Sequence, residues 1–344
     1  MKNIIFLFFL IIYPMNADYS SHPVSKSVID ELSNKHGFSK NYVKDVLKNA
    51  QKQQKILDSI SKPAEFNWTW QRYKNLFIED NRIINGKSFI NENIETLLRA
   101  EKEFGVPKEI ITAILGVETR YGKIQGSYRV LDSLTTLGFD YPRRSKFFKD
   151  ELIKFFLLTR ENNLDIFSVK GSYAGAMGYG QFISSSYRAY AIDFDNDEKV
   201  DLFNSVDDAI GSIANYLYVH GWRRNGNIVK EISFNNVRSP YKHIGDSSKF
   251  IPLKFTEGIN MEYEVKEGDT FSEIASKNNI SANKLKNLND IKDINLIKTG
   301  DIIIISKEKD LHFIGDENFI AITKYNISHF YAMAVYYLAE EFKK

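Results

Sequence analysis

No cysteine occurs among the 344 residues, which excludes disulfides, thiolate metal ligands, a cysteine nucleophile and a lipid-modified cysteine. Excess charge of one sign is missing too. The 46 Lys and Arg stand against 44 Asp and Glu, whereas a nucleic-acid binder should carry a basic surplus. Stability must therefore come from packing, with or without a bound ion. The material for packing is present: 43% of residues are hydrophobic, with 25 Phe and 19 Tyr, so the chain is not disordered and has the length of two domains or one large domain with an insertion. The apolar run Ile4 to Tyr13, preceded by Lys2 and followed by Pro14, Asn16 and Ala17, is too short to span a bilayer comfortably and has the form of a signal peptide over residues 1–17. Export as a soluble protein follows, with an uncleaved N-terminal anchor as the alternative.

Periodicity divides the rest unevenly. Most stretches from Ser25 to Asn225 read as helices separated by short breaks, including Val43 to Ile60, Phe89 to Phe104, Ser145 to Asn162 and Val206 to His220. Between Ile228 and Gly258 the pattern fades into loops or short strands. Tyr263 to Ser306 opens with a strand-like alternation, passes two helical patterns at Phe271 to Lys277 and Ala282 to Leu288, and closes on Ile302 to Ile305, the order βααβ. Ser328 to Phe342 is helical again.

Three stretches carry chemistry. In Gly116-Val117-Glu118-Thr119-Arg120-Tyr121-Gly122, Pro107 suits the first turn of a helix, Ile111, Ile114 and Leu115 recur at helical spacing, and Glu118 falls on the same stripe. A carboxyl facing the interior is held neutral by desolvation, which a general acid requires; a Glu paired with Arg120 is the alternative. Lys170 to Phe182 interleaves four glycines and two alanines with Ser172, Tyr179, Gln181 and Phe182, suited either to tight helix packing or to an extended polar ligand such as a sugar chain. Asp193-Phe194-Asp195-Asn196-Asp197-Glu198-Lys199 sets carboxylates at positions 1, 3 and 5 and a backbone carbonyl at 7, the pattern of a calcium loop, with Asp207 or Asp208 able to close the site. It departs from the EF-hand at position 6, Glu198 for Gly, and at 12, Asn204 for Glu. A solvated acidic turn is the alternative.

The Glu118 and glycine-rich stretches, with Leu137-Gly138-Phe139-Asp140-Tyr141-Pro142-Arg143-Arg144, Tyr216 ahead of His220-Gly221-Trp222, and Thr323-Lys324-Tyr325-Asn326, resemble the lytic murein transglycosylase B family. The likeness begins near Gly37-Phe38, runs through Pro63-Ala64-Glu65 and Trp70-Gln71-Arg72-Tyr73 to Trp222, and resumes near Asn318. It implies a mainly α fold: a lysozyme-like helical catalytic domain with an EF-hand-like calcium loop. It also implies cleavage of the β-1,4 bond between N-acetylmuramic acid and N-acetylglucosamine in peptidoglycan, leaving 1,6-anhydromuramoyl ends. Carried over by position, Glu118 is the catalytic acid, and Tyr73, Ser172, Met177, Gln181, Phe182, Tyr216, Tyr325, Asn326 and Tyr331 line the glycan groove. Asp193, Asp195, Asp197, Lys199 and Asp208 are the expected calcium ligands, the ion being structural.

Tyr263 to Ser306 resembles a LysM module, which implies glycan binding around Gly268, Asp269 and Thr270. The anticipated organisation is a leader at 1–17, catalytic domain at 18–261, LysM module at 262–307 and a returning helical segment at 308–344. Peptidoglycan strands are the expected partner, in the periplasm, of a monomer with no lipid anchor and no cofactor in catalysis. Glycosidases ordinarily use two carboxyl groups. Only Asp140 is available as a second one in these motifs, which leaves a hydrolytic muramidase, or a non-catalytic wall-binding protein, as alternatives.

Overall fold

The computed structural model describes residues 18–61, 68–232 and 250–344; the leader expected at 1–17 and the stretch Pro63-Ala64-Glu65 lie outside the described residues. In chain order the helices are α1 (Ser25–His36), α2 (Lys40–Asn49), α3 (Gln54–Ser61), α4 (Trp70–Phe77), α5 (Asp80–Glu92), α6 (Ile94–Phe104), α7 (Lys108–Thr119) and α8 (Val130–Asp140). There follow α9 (Ser145–Glu161), α10 (Ser184–Tyr190), α11 (Val206–Val219), α12 (Phe271–Lys277), α13 (Ala282–Leu288), α14 (Glu317–Tyr325) and α15 (His329–Phe342). Strands are β1 (Tyr128–Arg129), β2 (Lys170–Gly171), β3 (Val229–Glu231), β4 (Ile251–Glu264) and β5 (Ile302–Gly315). No helix among the described residues is long and apolar enough to cross a membrane.

The chain divides into two compact units, Met1–Pro63 with Glu118–Ile213, and Ala64–Val117 with Ala214–Lys344. In the first, α8 packs on α9, and α9 on α10. Every residue of α8 from Val130 to Phe139 is buried, as befits a helix enclosed on all sides. Two of its polar residues have partners far along the chain. The Asp132 carboxylate accepts the Gln51 N–H at 2.8 Å and an Arg129 N–H at 2.6 Å, and the Thr136 hydroxyl accepts the Gln53 N–H at 3.0 Å. Arg129 also donates to the carbonyl of Asn49, the last residue of α2, at 2.6 Å. These bonds correct the single helix read over Val43 to Ile60: backbone groups at 49–53 bond to side chains of the α8 region, so α2 and α3 are separate. Phe89 to Phe104 is likewise two helices. Asn93 ends α5, its amide donating to the Phe89 carbonyl at 2.9 Å, while its own carbonyl accepts the Leu97 N–H at 3.0 Å in α6.

The second unit holds a sheet in the order β3-β5-β4. β4 and β5 pair antiparallel along their full length, from Ile251 opposite Gly315 to Glu264 opposite Ile302. Odd-numbered residues share one face of this ribbon. At one end Leu253, Phe255, Leu311 and Phe313 are buried, and Phe255 meets Trp70 of α4 at 5.1 Å, with Phe330 and Tyr337 of α15 closing round the indole. At the other end Val265, Ile303 and Ile305 join Phe271, Ile274, Ala275 and Leu285 in a separate small core. The βααβ reading holds in its helix limits, and the reason is local. Thr270 accepts the Glu273 N–H at 3.3 Å and Glu273 accepts the Thr270 N–H at 3.2 Å, a reciprocal cap that starts α12. The strands, however, run on past residues 262 and 307, so the βααβ segment is the far end of one continuous ribbon. Of the stretch Ile228 to Gly258, read as loops or short strands, β3 and the first half of β4 are described, and residues 233–249 lie outside the described residues.

Candidate active site and its supports

In the first unit, α7 stops at Thr119 and the next three residues are left-handed, with φ of 51° at Arg120, 62° at Tyr121 and 83° at Gly122. The Thr119 hydroxyl donates to the Tyr179 carbonyl at 2.8 Å and accepts the Gly122 N–H at 2.9 Å. A Cβ on Gly122 would lie 1.9 Å from the Tyr179 ring, so this turn admits glycine alone. The residue next to Glu118 is thereby tied to the glycine-rich stretch. Glu118 itself, read from its stripe as facing the interior, is half-buried. The helix ends one residue later, and its last turn emerges from the core.

Lys170 to Phe182 is a short strand and loop, not a helix; its glycines let backbone meet backbone. A Cβ on Gly171 would stand 2.2 Å from the Ala176 carbonyl oxygen. The Ser172 hydroxyl accepts N–H bonds from Ala174 at 3.3 Å and Ala176 at 3.0 Å. Met177 and Phe182 exchange backbone bonds at 2.9 Å each way, and the Gln181 amide donates to the carbonyls of Gln125 and Gly178, both at 3.0 Å. Ser172 and Gln181 are half-exposed, whereas Met177 and Phe182 are buried and can only support a groove from behind.

The carboxylates of Asp193, Asp195 and Asp197 offer oxygens within 4.8 Å of one another. Asn196 and Glu198 adopt left-handed φ of 62° and 69°, so Glu198 takes without glycine the bend that glycine would provide. This donor set fits a hard cation. Asp208 does not join it, which corrects its assignment as a ligand. Its side chain is buried and its two oxygens accept the N–H of Phe194 and of Asp201, both at 2.7 Å. It clamps the two ends of the loop, and burial pushes its carboxyl above the usual range. Lys199 is exposed, its N–H bonded to Asp197 at 2.9 Å. The Ser205 hydroxyl, absent from the sequence reading, donates to Asp195 at 2.8 Å.

The other residues expected to meet glycan belong to the second unit. The Tyr216 hydroxyl donates to the Lys324 carbonyl at 2.6 Å; its ring stacks on His220 at 4.0 Å and meets the Tyr325 edge at 4.9 Å. Tyr325 lies parallel to Tyr331 at 6.4 Å. Of these, Tyr216 and Tyr331 are buried, Tyr325 half-buried and Asn326 exposed. Tyr73 is buried in a different group, with Phe77 at 4.6 Å and Phe330 at 5.6 Å. Sequence reasoning missed Asn318, whose amide joins Arg223 and Gly226 by bonds of 2.7 to 2.9 Å. In the βααβ segment Gly268 is open, but the other two expected glycan contacts are engaged internally. Thr270 caps α12, and Asp269 receives the Tyr263 hydroxyl at 2.7 Å, the Lys266 N–H at 3.0 Å and Lys277 at 3.1 Å.

Comparison with known proteins bears on these groups together. Residues 20–340 match the transglycosylase SLT domain. The chain belongs to this family. A similar curated protein is the membrane-bound lytic murein transglycosylase B of Escherichia coli (strain K12), 35% identical over 336 residues, covering 95% of this chain and 84% of the relative. Among solved SLT structures, the soluble lytic transglycosylase SltB1 of Pseudomonas aeruginosa has 37% identity and a TM-score of 0.71, covering 93% of this chain and 98% of that one. The Escherichia coli lytic transglycosylase Slt35 in complex with calcium has 33% identity and a TM-score of 0.71, covering 96% and 95%.

Proposed function

We infer that this chain is a peptidoglycan lytic transglycosylase in which Glu118 is the only catalytic carboxyl. Family membership supports the activity, and the half-buried Glu118 beside the Thr119–Tyr179 bond carries the assignment within it. Glu118 in its neutral form protonates the departing N-acetylglucosamine oxygen as that oxygen leaves C1 of the muramoyl residue. The resulting carboxylate takes the proton of the muramoyl C6 hydroxyl as its oxygen bonds to C1. The proton count closes, Glu118 is regenerated, and no water is consumed. Intramolecular attack has a large effective-molarity advantage over attack by water. Asp140, the second carboxylate a hydrolytic route would recruit, is otherwise engaged by the Tyr19 hydroxyl at 2.6 Å and Lys52 at 3.3 Å, which favours the single-acid route.

In the first unit Ser172 and Gln181 present accessible polar groups for the glycan, backed by Met177 and Phe182; in the second, Tyr325 and Asn326 present a ring and an amide, backed by Tyr216 and Tyr331. Asp193, Asp195 and Asp197, with the Lys199 carbonyl, would hold a structural calcium. The βααβ segment acts as a LysM-type glycan-binding insert, and residues 1–17 as the leader that sends the protein to the periplasm. The decisive experiment is mass spectrometry of digested peptidoglycan. Products lighter by one water than hydrolysed ends are expected, and Glu118→Gln should lower their release at least about 100-fold with the fold retained. Ordinary reducing ends, or near-normal turnover by a folded Glu118→Gln variant, would overturn the assignment.

A further inference from the structure

Within the second unit a cleft of about 980 Å³ opens between α4 and α13 along the middle of the ribbon, between its two cores. The two ends of this region are packed apolar cores, but the middle is polar. Gln71, Asn75 and Asn260 supply amides, Ser306 a hydroxyl, and the half-buried Phe330 and Leu288 an apolar floor. A second depression of about 380 Å³ shares Lys284 and Ser306 with the first and adds Lys307, Asn278 and Asn279.

The charges are unbalanced. Glu257, the carboxylate among the first cleft's lining residues, is committed to Lys74 at 2.5 Å, and Lys254 to Asp310 at 2.8 Å. Among the described residues, Arg72 has only the Trp68 ring as a charge partner, at 5.0 Å, and Lys284 has no carboxylate partner. Two exposed cations thus face a trough of amides and hydroxyls with no internal anion to satisfy them. Neutral sugar alone would use the amides and the ring but would leave both cations idle.

We propose that this cleft is a second substrate site, built jointly by α4 and the inserted segment, that takes the acidic stem peptide of a peptidoglycan strand, its carboxylates meeting Arg72 and Lys284. This rests on the peptidoglycan reading above, and it differs from the loop at Gly268 to Thr270 in both place and ligand chemistry. The site makes the insert a reader of peptide-bearing strands in addition to any contact it makes with naked glycan.

The test uses the full chain carrying Glu118→Gln, so that ligand survives, and measures affinity for soluble strands with stem peptides and for the same strands stripped by an amidase. Peptide-bearing strands should bind about tenfold more tightly. Arg72→Glu with Lys284→Glu should remove that preference without changing affinity for stripped strands, and Arg72→Lys with Lys284→Arg should restore it. Should charge reversal impair folding, Arg72→Gln with Lys284→Gln serves in its place. Equal affinity for the two kinds of strand, or an equal loss for both on reversal, would overturn the proposal. Product analysis on the unaltered enzyme reports separately: anhydro ends with no peptide preference would sink the cleft alone, whereas their absence would sink the catalytic reading.

Discussion

The loop Lys170–Phe182 in the first unit and the tyrosine cluster in the second are both proposed to meet glycan, yet they are held by different forces. Ser172, Met177, Gln181 and Phe182 are fixed by bonds to backbone atoms, several around glycines with no space for a Cβ. Tyr216, His220, Tyr325 and Tyr331 are fixed by ring faces and edges 4.0 to 6.4 Å apart. Backbone-built supports have one geometry, because each N–H and C=O has a partner that no side chain can replace. Ring-built supports spread the same task over dispersion contacts that similar rings can share. The first region should be brittle and the second forgiving.

The sharpest way to break this contrast is Gly122→Ala. It forces a Cβ into the Tyr179 ring at a φ of 83°, and a cost of about 3 kcal/mol in denaturant unfolding is expected from strain and overlap. A loss below about 1 kcal/mol would mean that the loop gives way. Next, calcium at about a hundredfold excess over its dissociation constant should add about 2.7 kcal/mol to the folded state, and magnesium less, since it holds its waters. Asp193→Asn should cancel the gain; a melting curve indifferent to millimolar calcium in the unaltered protein would remove the ion from the loop. Tyr216→Phe keeps the ring and loses the hydroxyl's bond to the Lys324 carbonyl, so about 1 kcal/mol is the expected cost. A loss as large as that of Gly122→Ala would show that the cluster is no more forgiving than the loop.

The smallest effect is confined to the insert. Its Asp269 carboxyl is held down to about 2 by the Tyr263 hydroxyl first, then by the Lys266 N–H and Lys277. Because the folded value is depressed, the stabilisation is fully present above the ordinary carboxylate value of about 4 and is lost as pH falls through about 2. Amide exchange in α12 should therefore quicken across that window, and Asp269→Asn should abolish the dependence. Exchange that quickens equally in α8 would mark global acid unfolding instead.

What the sequence disclosed and what it hid follow the range of the interactions involved. The limits of α12 and α13 were legible because their caps lie three residues from the groups they bind, and α9 and α11 because their patterns are long. Glu118 and the acidic loop stood out as motifs. The break between α2 and α3 was not legible, since its partners, Asp132 and Thr136, lie about 80 residues along the chain. Nor was the Thr119–Tyr179 bond, which spans 60 residues. Asp208 misled for a different reason: an aspartate beside an acidic loop reads as a ligand until its buried oxygens are found on Phe194 and Asp201. The fading pattern after Ile228 allowed short strands but could not place them, because β3 finds its partner only at Phe313 to Gly315.

The ribbon carries two cores on the same set of odd-numbered positions, and that sets a rule for how its length can change. Deleting one residue from β4 between Phe255 and Val265 would turn Val265 outward while Phe255 stayed in place. The far core would lose its floor although nothing within it had been altered. Deleting two residues from each strand, opposite one another, would keep both faces and draw the insert in by about 7 Å. Natural variation in this stalk should therefore come in matched, even steps, with the spacer length free to drift while the parity of its strands is kept.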